Sequence, residues 1–177
     1  MNFVDVALSY PALQAPSVWV QDESFAFDLG VPVALGTWHV RRADLVLLTG
    51  LHLSSRANPS DVRVATWDLP IEGGWRWTSP VETALVRPYW ELGGGPHLNL
   101  VLTSYTPTLV SGAMGTHTGF GATVGRGDTR VVLGVRGRVR VGPDVFYGTV
   151  TTPDGDVWWQ WTSWGARVDG YLGVQLR

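Results

Sequence analysis

Two groups of residues have the type and spacing to do chemistry. Arg130, Arg136, Arg138 and Arg140 fall on the even positions of the stretch Thr129–Val141, whose odd positions are almost all apolar. Successive side chains of a strand point to opposite sides, so the four guanidiniums share one face. Such a row could bind phosphate, acidic lipid headgroups or a carboxylate-bearing neighbour. The second group is aromatic: of ten tryptophans, four lie between residues 157 and 164. Trp75 and Trp77 share a face with Arg76 opposite; Trp159 and Trp161 share another, with Trp158 and Gln160 opposite and Trp164 just beyond. Tryptophan is enriched at binding interfaces and stacks on sugar rings. These arginines, with Trp75, Trp77, Trp158, Trp159, Trp161 and Trp164, are the interface candidates.

Other chemistry finds little support. His39, His52, His97 and His117 are scattered, without helical i, i+4 spacing or a close alternating carboxylate. His97 and the loop around His117 could meet to make a cupin-like metal site, but scattered structural histidines are the simpler reading. The carboxylates sit mostly in turns, for example Asp128, Asp154 and Asp156, where they favour turn geometry. The Arg126-Gly127-Asp128 triplet reads as a chance match in a hairpin loop. With no cysteine, disulfides and thiol catalysis are excluded. No catalytic residue, metal or cofactor is assigned, and the expectation is a protein that is not an enzyme.

The elements that must position these residues read as strands. Thr129–Val141 is the longest alternation, and its valine face is expected to anchor a core while the arginine face meets a subunit or solvent. Roughly a dozen strands, spaced by Gly, Pro, Asn and Asp turn signals at about 8–12 residues, run through the chain without a convincing helix. Pro153-Asp154-Gly155-Asp156 is a strong hairpin signal. Gly93-Gly94-Gly95-Pro96 reads as a loop, and the stretch 106–118 as a long surface loop with one short strand near Leu109 and Val110. The fold class expected is all-β: a single-domain jelly-roll β-sandwich or barrel of antiparallel strands over residues 1–177, with residues 1–16 as an N-terminal arm.

Composition narrows the class. At 177 residues the chain is long enough for one well-buried domain, and with 16% charged residues it must bury or pair large surfaces. A net charge of −2 gives no overall attraction to nucleic acid, and no specific nucleic-acid contact is expected. All 13 basic residues are arginine, which fits a high-GC genome. Residues Met1–Tyr10 carry Asp5 and no positive charge, so no signal peptide is expected there.

A cysteine-free, helix-poor, arginine-only β-domain of this size resembles the single jelly-roll small capsid proteins of tailless, membrane-containing icosahedral viruses that infect thermophilic bacteria. The pattern as a whole carries the resemblance, with Thr129–Val141 and the stretch Trp158–Trp164 as its best local fits. It implies a virion protein that forms homo-oligomers and joins a second, larger capsid protein in a shell around an internal membrane. No functional residue is transferred by it. The alternative is a carbohydrate- or receptor-binding β-sandwich that uses Trp75, Trp77, Trp159 and Trp161 as platforms. A third class, an eight-stranded outer-membrane barrel, is suggested by the Gly-rich alternation of residues 119–141. The arginine row, the terminal Arg177 and the absence of a leader weigh against it.

Overall fold

The computed structural model describes residues 3–14, 18–40, 43–80, 84–143 and 145–177. Twelve strands and, among the described residues, no helix make up the chain. In order they are β1 (Phe3–Gln14), β2 (Val18–Val20), β3 (Phe25–Val40), β4 (Ala43–Ala57), β5 (Arg63–Pro70), β6 (Glu72–Thr78), β7 (Val86–Thr103), β8 (Leu109–Val124), β9 (Thr129–Val141), β10 (Val145–Thr152), β11 (Gly155–Thr162) and β12 (Gly165–Leu176).

Nine of these strands form one sheet that closes on itself. Every ladder is antiparallel: β1 pairs with β3, β3 with β4, β4 with β5 and β6, these with β7, then β8, β9, β12 and back to β1. β5 and β6 lie end to end between β4 and β7, parted at Ile71, so the nine strands supply eight staves of a closed barrel. Each stave pairs with the next in the chain, because short links join antiparallel neighbours most directly. The all-β antiparallel expectation therefore holds, but the topology is an up-and-down barrel and not a jelly roll. Residues expected as a free arm form β1, hydrogen-bonded on both sides; residues 1, 2, 15 and 16 of that arm lie outside the described residues.

Two expected loops are strand interior. β7 runs straight through Gly93-Gly94-Gly95-Pro96, and β8 covers most of the stretch 106–118. Local turn signals lose to tertiary packing here, since the glycines make room for neighbours. A side chain at Gly115 would collide with the His97 ring, and a Cβ at Gly134 would lie 2.5 Å from the Tyr171 hydroxyl. Glycine in a strand often marks such a close approach.

The remaining strands, β2, β11 and β10, form a small sheet at the barrel end where the longer connections gather. Its inner face carries Val18, Val20, Val150, Val157, Trp159 and Trp161, which pack on Val62, Val64 and Val101 at the barrel mouth. Phe146 stacks on Trp161 at 5.4 Å, completing an apolar cap over that end. The hairpin expected at residues 153–156 forms the turn between β10 and β11, and Gly155 takes a left-handed φ of 124° there.

The close approach at Gly134 sets a test. Gly134→Ala should destabilise the barrel by about 1–3 kcal/mol through overpacking against Tyr171. Gly137→Ala should change stability by no more than about 0.5 kcal/mol, because its Cβ would meet nothing nearer than 3.9 Å. Urea midpoints of the two variants check both values.

Candidate functional site

The faces of β9 are the reverse of the expectation. Val131, Leu133, Val135, Val139 and Val141 lie on the exterior, with Val135 51% exposed, while Arg130, Arg136 and Arg138 are buried and Arg140 is nearly so. The valine face does not anchor a core, and the arginine face meets neither solvent nor a subunit. It lines the barrel lumen. The same inversion holds around the ring: among the described residues of the eight staves, Arg63 at the start of β5 is the one charged side chain that faces outward. An eight-stranded barrel is just wide enough for side chains to fill its interior, so these groups must satisfy one another.

They do so in tiers. In the half nearer the chain termini, Arg76 of β6 reaches across to Asp5 of β1 and also donates to Glu91 Oε2 of β7 from Nε (3.0 Å) and Nη2 (2.8 Å). Arg136 of β9 takes the other oxygen, Glu91 Oε1, from Nε at 2.7 Å and Nη2 at 2.5 Å. Gln175 of β12 donates to Asp5 Oδ1 at 2.8 Å. Below and between them the Tyr89 and Tyr171 hydroxyls share a hydrogen bond of 2.5 Å, with Arg76 lying 4.3 Å over the Tyr89 ring and Arg136 4.8 Å over that of Tyr171.

The tier nearer the cap is built on histidine. His97 bonds Asp68 through Nδ1 and Glu72 through Nε2, both at 2.9 Å. His117 Nδ1 lies 2.9 Å from Glu72 Oε2, within ion-pair range but out of line for a hydrogen bond. Arg140 donates to Asn99 at 2.6 Å and lies 3.4 Å from Asp68, and Arg167 lies 2.9 Å from Asp169. At the rim, Arg56 binds Asp28 at 2.6 Å and lies 3.4 Å from Glu23. His97 and His117 thus do come together, but Glu72 joins them as a hydrogen-bonded and ionic bridge. No group of three or more His, Asp or Glu among the described residues is arranged to hold a metal.

The tryptophans divide. Trp159 and Trp161 are buried in the cap, whereas Trp158 and Trp164 are exposed around it. Trp75 and Trp77 are partly exposed on the barrel exterior at the opposite end, where Trp77 stacks on Trp90 at 4.6 Å and Trp90 on Phe120 at 6.4 Å. The exterior therefore carries aromatics near both ends: Trp38, Trp77, Trp90 and Phe120 at one, Tyr10, Phe25, Phe27 and Trp67 at the other. Between them lie Val6, Leu8, Val31, Leu92, Val135 and Leu172.

Sequence reasoning missed Asp5, Asp68, Glu72, Arg76 and Glu91. Their signal was a single charge set between large apolar neighbours, as in Trp75-Arg76-Trp77, Trp67-Asp68-Leu69 and Trp90-Glu91-Leu92. Each such triplet marks a strand with one charged and one apolar face.

Fold and polarity together define a closed up-and-down β-barrel with a charged lumen and an apolar exterior. No protein-family model matches the chain, and no curated protein sequence matches it. Among solved structures it is similar to Neisserial surface protein A, with a TM-score of 0.55, 10% identity and coverage of 98% of this chain and 95% of that one. The N-terminal β-barrel domain of Pseudomonas aeruginosa OprF matches at a TM-score of 0.41 and 11% identity over 96% and 97% of the two chains. The fold likeness rests on the first. The closed up-and-down barrel, shared with the first of these, is neither the jelly roll of a capsid subunit nor a sandwich, so the expectations of a capsid protein, of a place in a virion and of a carbohydrate- or receptor-binding sandwich are corrected.

The shared carboxylate supplies the prediction. Arg76→Met should cost about 3–5 kcal/mol, because it leaves Asp5 without its cation and half-empties the Glu91 site. Arg63→Met, at an exposed rim position, should cost under about 1 kcal/mol. Urea unfolding of both variants, compared with the parent chain, measures the difference.

Proposed function

We propose that this chain is an integral β-barrel of a bacterial outer membrane, a non-catalytic barrel whose lumen is filled and whose exterior faces lipid. One observation carries the reading: large apolar side chains cover the outside of every stave, while the charged side chains of the described staves point inward, Arg63 at the rim excepted. In water such a surface would aggregate; in hydrocarbon it is the required one. A closed barrel also pairs the backbone within the ring, which a lipid-exposed sheet edge could not do. Trp67 and Trp77 on the β5–β6 stave mark the two aromatic ends. Ten residues of strand span about 33 Å, or about 25 Å of height at a tilt near 40°, close to the apolar band of such barrels.

The orientation follows the same logic. Short turns lie at one end of these barrels, toward the periplasm, and longer loops at the other. Here the described turn at residues 125–128, the start of β1 and the end of β12 lie at the end opposite the cap, so the cap of β2, β10 and β11 would face outward. The arginine row, which weighed against a barrel when read as an outer face, supports one as lumen filling. With the lumen occupied by ion pairs and one mouth sealed, the barrel would serve as an anchor or surface display and not as an open pore.

Refolding into lipid vesicles provides the test. The chain should resist carbonate extraction, run as a compact heat-modifiable band on cold SDS gels, and give no steady conductance in planar bilayers. Val135→Arg, at the middle of the exterior face of β9, should lower folding stability in vesicles by about 2–4 kcal/mol. A monomer that stays in the aqueous phase without detergent, or a lasting open channel, would overturn the reading.

A further inference from the structure

We propose that the cap-side half of the lumen holds one small inorganic anion, of halide or nitrate size, between Arg138 and His52. A cavity of about 50 Å³ lies there, lined by His52, Ser54, Thr66, Arg138, Arg140 and Arg167 among others. It exceeds the volume of about 10–15 Å³ that one water centre needs. Arg138 is 8% exposed, and its Nε and Nη2 have no hydrogen-bond partner; the Glu72 carboxylate is 3.6 Å away. His52, 6% exposed, has no partner for Nε2. Two buried side chains thus bring unused nitrogens to one polar space.

The surrounding carboxylates are committed elsewhere. Asp28 binds Arg56, Asp169 pairs with Arg167, Asp68 is held by His97, and Glu72 is shared by His97 and His117. His97 meets a carboxylate oxygen at each ring nitrogen. Carboxylates only accept, so both nitrogens must carry protons and the ring is a cation. At the wall of the cavity, Arg138, Arg140, Arg167 and the His97 cation then face the carboxylates of Asp28 and Asp68, so positive charge predominates there. Water in the cavity would solvate that charge without neutralising it, whereas an anion bound by the Arg138 guanidinium does both. On the cap side the Trp161 ring lies 6.0 Å from the guanidinium of Arg140, one of the lining residues.

The site does not depend on whether lipid surrounds the barrel, and its test works in detergent micelles. Urea midpoints are measured in sodium bromide and in sodium isethionate at equal ionic strength, the second anion being too large for the cavity. Bromide should raise the midpoint saturably at millimolar concentration, and Arg138→Gln should abolish the rise. Crystals of the parent chain grown in bromide should show an anomalous peak within hydrogen-bond distance of Arg138, a readout that stands even if the variant does not fold. Equal midpoints in the two salts, or a cavity holding only water in the bromide crystals, would overturn the proposal.

Discussion

The structure depends on the enclosure of charge. Glu91 accepts from Arg76 with one oxygen and from Arg136 with the other, while Arg76 crosses to Asp5 and Asp5 accepts from Gln175. One connected set thereby joins β1, β6, β7, β9 and β12, staves that backbone pairing alone links only to their neighbours. Charges removed from bulk water are costly singly and tolerable when each is hydrogen-bonded. The set around Glu91 meets that condition, and it also stacks guanidiniums on the Tyr89 and Tyr171 rings and uses glycine where a ring or carboxylate must lie against the opposing backbone.

Enclosure also explains the two ends. At the cap, Val62, Val64 and Val101 continue the inward faces of β5 and β7, yet they are apolar because Trp159 and Trp161 cover them. At the other end, Phe3, Ala34, Val46 and Leu48 form a smaller apolar cluster on the lumen side. The cap thus covers the ion pairs at one mouth, and the smaller cluster flanks them toward the other, where Arg76 lies 4.7 Å over the Phe3 ring; both keep bulk water away and strengthen each contact. A filled and plugged lumen leaves the exterior as the surface on which the barrel's surroundings act.

Much of this was legible before any coordinates. The boundaries of β9 and of the β10–β11 hairpin follow from alternation and from the Pro-Asp-Gly turn, and the absence of helical periodicity is enough for an all-β chain. The triplets around Arg76, Asp68 and Glu91 already separate one face from the other. Less legible were β7 and β8, where Gly93-Gly94-Gly95-Pro96 and the Gly, Ser and Thr of residues 106–118 imitate loops. Their glycines answer to side chains far away in sequence, such as His97 against Gly115, and no local window contains that information.

The sequence by itself determined that the long strands have one more apolar and one more polar face, since a period of two assigns side chains to sides without reference to anything else. Only the tertiary structure decided which side is inside. Alternation is symmetric: Val135 and Arg136 could each have been the buried member of the pair, and a core in water would have chosen the valine. Closure into eight staves settled the matter, because Asp5, which pairs with Arg76, lies 71 residues away in the chain and Glu91, which pairs with Arg136, lies 45 residues away, and they meet inside the barrel.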